Sequence, residues 1–499
     1  MYNRLKNTVP GIILLTLTTS VMAQSNNYWS WNFNTHSALL AGSVVGGSAG
    51  PSAIFYNPAF IDKEDMPSLS LSTSMMSLQF YNIDNMAGDG IDANKMLFKI
   101  QPKFLSYVLS NKNDRLGIEV AILSPISEEI RYTIQHTDYI EIIQRTLGEE
   151  VYSGYLNYSR KYDDTWIGGG ISYELSDRFS IGSSLFFSYK DLTYEYQQQA
   201  QANQLGDSVN VIGNVEPKYI AQSSFEEDLS YWYVSLIVKV GVQYTSKSER
   251  FSFGMNITLP DIPLFGEADI RKSVIRSNVY NDFVETFTTN ENILGVEDDN
   301  SDVRVKNPFS IAFGAQYFSK NKKSSFSFTL EYFHKIDDYA LVNSSIQAEW
   351  LPKYISDNLS NDDFMSYYYY ANSVINIALG FKQYLSPSLT YLGGFRTDFS
   401  ANDIGNILFV DGRYGVNQVS MDKYHLTSGV LLKIKNFRLV GGIQYTYGRT
   451  SDMIQAVNYS NPVEYIPSTQ QALEGIRQNN AQASLNEFTL ILGLSVGFN

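Results

Sequence analysis

The carboxyl-terminal stretch of the chain alternates clearly enough to define its secondary structure. From Phe488 onward every second side chain is large and apolar, and those between are mostly small or polar, with Ile491 as the exception. A period of two is that of a β-strand. About eleven such residues are what one tilted strand needs to cross a bilayer. The sequence therefore predicts a membrane-spanning strand at this end.

The same alternation recurs upstream and predicts fourteen strands. We place them at approximately 67–80, 99–110, 115–125, 164–175, 178–190, 231–246, 249–259, 304–319, 323–334, 366–386, 388–399, 421–435, 437–448 and 486–498. Connections after even-numbered strands are short, whereas several after odd-numbered strands are long. A barrel with both termini in the periplasm has this pattern, and an even strand count lets it close without an edge. We predict an all-β fold, a 14-stranded antiparallel transmembrane β-barrel.

The amino terminus and the composition indicate a secreted, metal-free protein. Residues 1–23 combine the basic Arg4 and Lys6, an apolar stretch and a small-x-small cleavage site at Val21–Ala23, as in a signal peptide. The chain has no cysteine, which excludes disulfides and zinc–thiolate sites. Its formal net charge of −14 argues against a nucleic-acid partner. We predict neither a cofactor nor a metal.

One stretch near the amino terminus does not alternate. Gly42–Ile61, GSVVGGSAGPSAIFYNPAFI, holds four glycines and two prolines, which exclude an ordinary helix or a central strand. Small residues let the backbone pack closely in a confined space. We therefore predict that residues 24–65 form a hatch inside the lumen, with Asn57-Pro58 as a fixed turn, and that residues 66–499 form the barrel.

A Gly/Ser/Ala-rich run followed by IFYNPA resembles the FadL/TodX family of outer-membrane transporters of hydrophobic compounds. That family usually continues NPA-Gly-Leu, whereas Phe60-Ile61 follow here. The resemblance implies passive uptake of a hydrophobic or amphipathic ligand, such as a fatty acid or an aromatic hydrocarbon. It implies a Gram-negative-type outer membrane, contact with its lipids, and no cofactor. The hatch and gating residues that it implies are Gly46, Gly47, Gly50, Asn57, Pro58 and Ala59.

The resemblance also implies a lateral gate, because substrate in this family leaves through a gap at a kink in the third strand. Here the third strand runs into Ser124-Pro125. Proline removes a ladder donor and is found at bulges and edges, so Pro125 is the candidate gate residue. The alternative, that Pro125 simply ends the strand, stays open at this point.

The predicted lumen is lined by both apolar and polar side chains. The alternation places Phe186, Ile237, Leu431 and Ile491 inward, together with polar groups such as Lys239. A water-filled porin would have a polar wall, whereas a mixed lining suits an amphipathic ligand. These apolar side chains would equally serve to pack against the hatch, and both interpretations stay open.

Two other features of the strand ends carry structural expectations. Tyrosine-rich clusters at Tyr152–Tyr158, Tyr231–Tyr233 and Tyr367–Tyr370 are expected at the outer membrane interface. Helical spacing of apolar residues predicts short helices near 138–147 and 467–477.

The sequence also bears on two other function classes, a protein scaffold and an enzyme. A barrel that scaffolds protein partners, as PorV does in type IX secretion, would dock them at extracellular loops such as 191–230 and 260–303. An enzyme has little support: Gly46–Gly50 matches G-x-S-x-G but lacks the flanking strand and helix of a nucleophile elbow. The four histidines are also far apart in sequence, so we predict a non-enzyme.

Overall fold

The computed structural model describes residues 27–29, 34–47, 49–61, 68–101, 104–109, 115–143, 148–205, 208–211, 214–217, 220–281, 286–287, 292–346, 364–402, 416, 419–466 and 471–497. The predicted signal peptide, residues 1–23, lies outside these ranges.

Fourteen antiparallel strands form one closed barrel, in which β1 pairs with β14 from Leu69↔Val496 to Asp84↔Gln482. Five of the strands are interrupted. The bounds are β1 Ser68–Asp84; β2 Ala93–Gln101 and Phe104–Val108; β3 Leu116–Ile140; β4 Glu150–Ser176; β5 Phe179–Gln204; β6 Ile220–Thr245; β7 Phe251–Thr258 and Ile262–Ser277; β8 Asn292–Val303 and Ser310–Phe318; β9 Ser324–Phe333 and Ile336–Asn343; β10 Tyr367–Ala371 and Val374–Tyr384; β11 Leu389–Asp398; β12 Asp422–Ile434; β13 Phe437–Met453; and β14 Ala481–Gly497.

Short elements lie at the amino terminus and beyond the barrel strands. They are helices α1 (Thr35–Leu39) and α2 (Ala53–Tyr56), 3₁₀ turns at Gly50–Ser52 and Pro58–Phe60, and three hairpins, Ser208–Val211 with Asn214–Pro217, Tyr280–Asn281 with Thr286–Phe287, and Val463–Ile466 with Gln471–Glu474. Among the described residues, no helix is long and apolar enough to cross a membrane.

The outer surface of the barrel carries a belt of exposed apolar side chains. Ile171, Phe187, Phe326, Leu426 and Phe488 are among them, and each alternates with an inward-facing neighbour. Only lipid makes such a surface favourable, since soluble proteins rarely expose large contiguous apolar patches. The predicted fourteen-stranded transmembrane barrel is confirmed.

Several strands continue far beyond this belt, and the hydrophobic alternation changes phase where they leave it. On β5, Phe187 and Tyr189 face lipid, but farther along Tyr194 and Tyr196 face inward while Glu195 points outward. A strand in lipid needs its apolar side chains outside, whereas a strand in water needs them inside. Much of what was predicted as long loops, including 126–140 and 150–163, is therefore barrel wall.

Inward side chains of these extensions form a hydrophobic cluster, here called the outer layer, which fills the outer part of the lumen. Tyrosines from β3 to β6 stack within it, with the Tyr132 and Tyr158 ring centroids 4.7 Å apart. Connecting segments fold inward to join it, contributing Met86, Phe364 and Tyr459. The outer half of the barrel is thus a packed core and not an open pore.

The segment between β13 and β14 is fastened into the outer layer by specific bonds. The Tyr459 hydroxyl donates to the Tyr155 carbonyl at 2.8 Å, and the Tyr459 amide donates to the Ala87 carbonyl at 2.7 Å. A Cβ at Gly154 would lie 2.6 Å from the Tyr459 ring, so glycine makes room for it. The Tyr152 hydroxyl donates to Leu473 O at 2.9 Å.

Two of the expectations about strand ends are wrong. Residues 138–140 continue β3, and 471–474 form a strand, so neither predicted helix is present among the described residues there. Tyr152, Tyr231 and Tyr367 are buried in the outer layer instead of lying at the membrane interface. The Tyr152 and Tyr367 hydroxyls donate to partners inside the barrel, Leu473 O and Glu227 Oε2, as buried tyrosine hydroxyls usually do.

The buried tyrosines give the outer layer a pH dependence. Burial raises the pKa of Tyr132, Tyr158 and Tyr194 above the ordinary value of about 10. These rings lie above the lipid belt, where the outward neighbours of Tyr158 are Asn157 and Ser159. The folded protein keeps phenol protons that the unfolded chain releases above pH ~10, so stability present below that pH is lost as the pH rises.

We therefore expect the outer layer to loosen above pH ~10 while the lipid-embedded wall stays folded. Tyrosinate absorbance should show a late-titrating group whose ionisation coincides with faster amide exchange in β3 to β6. Tyr158→Phe, which removes one titrating group and keeps the ring, should move the loosening to higher pH. Uniform titration near pH 10 without a change in exchange would contradict this.

Candidate functional site: the hatch, the central cavity and the wall beside it

The described amino-terminal residues 34–47 and 49–61, here called the hatch, form short helical turns inside the barrel. Asn34 begins α1, with its side-chain oxygen accepting from the His36 amide at 2.9 Å. Gly50 has φ +58°, a conformation that glycine adopts without strain, and Pro51 follows it in a 3₁₀ turn. Helices of four or five residues are not stable alone, so the barrel wall holds the hatch in shape.

The wall meets the hatch through inward-facing glycines, here called the glycine belt. A Cβ added at any of them would lie within 3.0 Å of a hatch atom. They are Gly117, Gly170, Gly182, Gly241, Gly254, Gly314, Gly380, Gly394, Gly429, Gly442 and Gly493. The hatch and the wall approach so closely that a side chain at these wall positions would collide with the hatch. Glycine at these positions therefore determines where the hatch sits.

Asn57 ties the hatch to itself and to the wall. Its amide nitrogen donates to the carbonyls of Val45, at 3.0 Å, and Val242 on β6, at 3.1 Å, and its side-chain oxygen accepts from the Ala59 amide. The side chain is fully buried. A buried amide with three partners fixes the turn in one orientation.

Four of the other predicted hatch residues lie at contacts with the wall, whereas a Cβ added at Gly50 would have no atom within 4 Å. Gly46 packs against the backbone of Gly314 and Ala315, and Gly47 against the side chain of Gln316. Pro58 begins the 3₁₀ turn that Ala59 continues, and both side chains are buried near β5. The gating role of these residues stays a prediction.

The four predicted lumen residues all face inward, next to the hatch. Phe186 and Ile237 belong to one hydrophobic cluster with Ile54, and Ile491 to a second cluster with Leu39, against which Leu431 packs. None of the four lines the central cavity described below. The geometry therefore favours the packing interpretation over direct ligand contact.

A cavity of about 100 Å³, here called the central cavity, lies directly beside the hatch. Aromatic rings from the hatch, the wall and the amino-terminal residues line it, together with a few polar groups. The lining includes Tyr28, Trp29, Phe55, Tyr56, Trp166 and Phe333, and the polar Asp164, Lys239 and Glu331. A mainly aromatic cavity with few polar groups is typical of a site for a small amphipathic molecule.

Lys239 places a buried ammonium in this cavity. Its Nζ donates to Thr258 Oγ1 at 2.8 Å and lies 4.3 Å from the centre of the Phe55 ring. Within the described residues, no carboxylate lies at ion-pair distance from it. The Glu331 carboxylate instead accepts hydrogen bonds from Trp29 Nε1 at 2.7 Å and from the Ser310 hydroxyl at 2.7 Å. A desolvated cation without a paired anion favours binding of an anionic group.

The wall parts between β2 and β3 beside the cavity, and we call this the β2–β3 seam. The two strands pair from Val108↔Glu119 to Phe104↔Leu123. Beyond this, in the described part of the chain, β2 pairs with β1 and β3 with β4. Lys99 Nζ crosses the seam to the Glu129 carbonyl at 3.2 Å.

Pro125 lies at this seam and lines the central cavity. A register shift between Leu123 and Ile126 marks a bulge at its position. The alternative in which Pro125 ends the strand is wrong, because β3 continues to Ile140. Its assignment as a gate stays a prediction.

Sequence reasoning missed Trp29, Glu331 and most of the glycine belt. The belt left a signal: Gly182, Gly254 and Gly380 fall at inward positions of correctly predicted strands. No sequence pattern indicated Trp29, because it precedes the glycine-rich stretch and reaches the cavity only through the path of the folded chain.

These features define the class of the fold as an outer-membrane β-barrel with an internal amino-terminal hatch. No family model matches the sequence, and no curated protein sequence matches it.

Solved structures do match. A FadL homologue of Pseudomonas aeruginosa superposes with a TM-score of 0.56 at 13% identity, covering 96% of this chain and 100% of that one. The toluene transporter TodX of Pseudomonas putida gives 0.52 at 13% identity, covering 93% and 98%. The CymD monoaromatic hydrocarbon channel gives 0.52 at 8% identity, covering 93% and 97%. The chain therefore has a FadL/TodX-like fold.

Proposed function

We propose that this protein takes up hydrophobic or amphipathic small molecules passively across the outer membrane of a Gram-negative-type envelope. The central cavity carries the proposal: aromatic walls and one buried ammonium lie inside the lumen, between the hatch and the outer layer. The FadL-like fold, shared with a toluene transporter and a monoaromatic hydrocarbon channel, supports it. Fatty acids and aromatic hydrocarbons are the ligand classes we propose, and no covalent step is involved.

The proposed route uses both predicted sets of site residues. Cleavage after residue 23 would leave residues 24–65 as the hatch and 66–499 as the barrel. The hatch, seated by Asn57, Pro58 and Ala59, closes the periplasmic side, and rearrangement around Gly46, Gly47 and Gly50 releases it. The β2–β3 seam at Pro125 is the proposed lateral exit, since the cavity reaches it and the ladder there is interrupted.

Lys239 is the proposed anchor for an acidic head group, which gives a test. With Lys239→Met, affinity for a fluorescent long-chain carboxylate should fall about tenfold or more, because a charge-assisted hydrogen bond contributes ~1.5–3 kcal/mol. Affinity for toluene should not change. Lys161→Met is the matched control, since Lys161 is 56% exposed on β4. Equilibrium titration of the purified protein measures the affinity for each of the two ligands.

The results of these titrations distinguish an acidic ligand, a neutral hydrocarbon and the scaffold alternative. Unchanged carboxylate affinity in Lys239→Met would remove this lysine from the site, and absence of carboxylate binding to the unmodified protein, with toluene still bound, would leave a neutral hydrocarbon as the ligand. If the unmodified protein binds neither ligand and copurifies with a stoichiometric protein partner, the scaffold alternative is favoured instead.

A further inference from the structure

A second interruption of the wall lies between β7 and β8, on another side of the central cavity. The inner halves of the two strands pair up to Thr258↔Ser310, and the outer halves pair again only from Ala268↔Ser301. All residues between these points are described, and no ladder pair joins 259–267 to 302–309. We call this interval the β7–β8 seam.

Proline on both strands explains the seam. Pro260 and Pro263 lie on β7, and Pro308 lies opposite on β8. Proline cannot donate a ladder hydrogen bond and is excluded from the interior of a sheet. A register shift between Pro263 and Phe265 in the pairing with β6 shows that β7 bulges here.

Within the seam, the backbone of β8 is bonded to its other neighbour, β9. The Arg304 amide donates to the Leu341 carbonyl on β9 at 2.8 Å, and the Lys306 amide donates to the Tyr339 hydroxyl at 3.1 Å. Val305 between them is fully buried. Both bonds follow the β8–β9 register of Asp302↔Asn343 and Val303↔Val342, so β8 stays joined to β9 where no ladder pair joins it to β7.

Hydrogen bonds from two neighbouring strands hold the seam closed. The Tyr233 hydroxyl on β6 is hydrogen-bonded to the Val305 backbone. The Asn307 amide donates to Asp261 Oδ1 at 2.7 Å. Within the described residues, the second oxygen of Asp261 and the side-chain nitrogen of Asn307 are buried without a partner. Unsatisfied buried polar atoms cost free energy, so this closure is weak compared with a continuous ladder.

The inner face of the seam reaches the central cavity, and its outer face is apolar. Inside, Thr258, Asn307 and Pro308 line the central cavity. Outside, Ile262, Leu264 and Phe265 are 53%, 41% and 58% exposed, and the Phe265 ring centroid lies 5.9 Å from that of Trp232. Aromatic residues such as these favour the membrane interface.

We propose that the β7–β8 seam is a second lateral opening, through which uncharged apolar molecules pass between the central cavity and the outer leaflet. The passage of a cargo rests on the proposed function, whereas the opening itself does not. The prolines keep the wall unpaired, and the Asp261–Asn307 and Tyr233–Val305 hydrogen bonds are the contacts that must break.

A disulfide across the seam tests this, because the chain has no other cysteine. The variant is Asp261→Cys with Asn307→Cys, whose 2.7 Å contact brings the backbones within side-chain reach. Lys99→Cys with Glu129→Cys locks the β2–β3 seam as the matched control; because the contact there is made by the end of a long lysine side chain, a reducible bis-methanethiosulfonate linker joins these two cysteines. Adding reductant reverses each lock in the same sample, and heat-modifiable gel mobility reports that each barrel is folded.

The first measurement uses a photoactivatable apolar diazirine dissolved in the bilayer of reconstituted protein. In the reduced protein it should label the peptides holding Thr258, Asn307 and Pro308, and oxidation of the β7–β8 pair should remove most of that label. Locking the β2–β3 seam should leave it in place. Absence of label in the reduced protein, or loss only in the β2–β3 lock, overturns the second opening.

The second measurement is uptake of radiolabelled toluene by intact cells, and oxidation of the β7–β8 pair should slow it severalfold, reversibly. Unchanged uptake in this lock, with loss in the β2–β3 lock, overturns passage of cargo here. If cells with the unmodified protein take up no more toluene than cells without it, the proposed function fails, and the photolabel alone decides whether the seam opens.

Discussion

Deleting residues 25–60 together with residues 455–478 should convert the protein into an open, non-selective pore. The hatch fills the lumen at the glycine belt, and the segment held by Tyr459 fills it in the outer layer. Two barriers in series each limit flow. Removing both leaves a fourteen-stranded cylinder, close in size to the 16–18-stranded barrels that hold an aqueous channel.

Each deletion alone should give a smaller rise in permeability than the pair. Dye uptake by cells and conductance in planar bilayers would measure this, with heat-modifiable gel mobility to show that each barrel is folded. If removal of residues 25–60 alone gave the full conductance of the double deletion, the outer layer would not be a barrier. If removal of residues 25–60 gave no rise in conductance even in the protein that lacks residues 455–478, the hatch would not be a barrier.

A single leucine in the glycine belt should unseat the hatch. At Gly394 an added Cβ would lie 2.7 Å from the backbone of Leu40 and 2.8 Å from Ala41. Overpacking of ~1–3 kcal/mol would raise the population with a displaced hatch roughly 5- to 150-fold. Because Ala41 and Gly42 also line the central cavity, ligand affinity should fall as well.

The adjacent residue is the matched control. Gly393 lies at an outward position of β11 beneath the Tyr391 side chain, and the nearest atom to an added Cβ is the Tyr391 hydroxyl at 3.2 Å, with no hatch atom nearby. Gly393→Leu should therefore leave the hatch seated, while Gly394→Leu exposes residues 34–61 to protease and speeds their amide exchange. Equal exchange rates in the two variants would show that the close approach at Gly394 does not seat the hatch.

The lipid-facing barrel was predictable because the membrane imposes one rule on every strand. Phe187 and Phe488 must point outward wherever they fall, so alternation alone finds their strands. The outer wall was missed because the rule reverses there: Tyr158 faces inward and Asn157 outward. The alternation is present in both regions, and its change of phase is the signal that would have revealed the longer strands.

The cavity could not be predicted in the same way. Trp29 and Lys239 meet there only because the chain start lies in the lumen beside β6. The β7–β8 seam is an intermediate case. Pro260 and Pro308 are plain in the sequence, but only the strand register shows that they lie opposite each other across one interval.

The height of the wall has a consequence for capture. Strand β4 has 27 residues, and at ~3.3 Å per residue and a tilt of ~40° it climbs roughly 70 Å, more than twice the ~30 Å hydrocarbon core. The mouth of the protein thus stands far above the acyl chains, out in the water beyond the cell surface. Under the proposed function, capture of the ligand would take place in water, well away from the acyl chains.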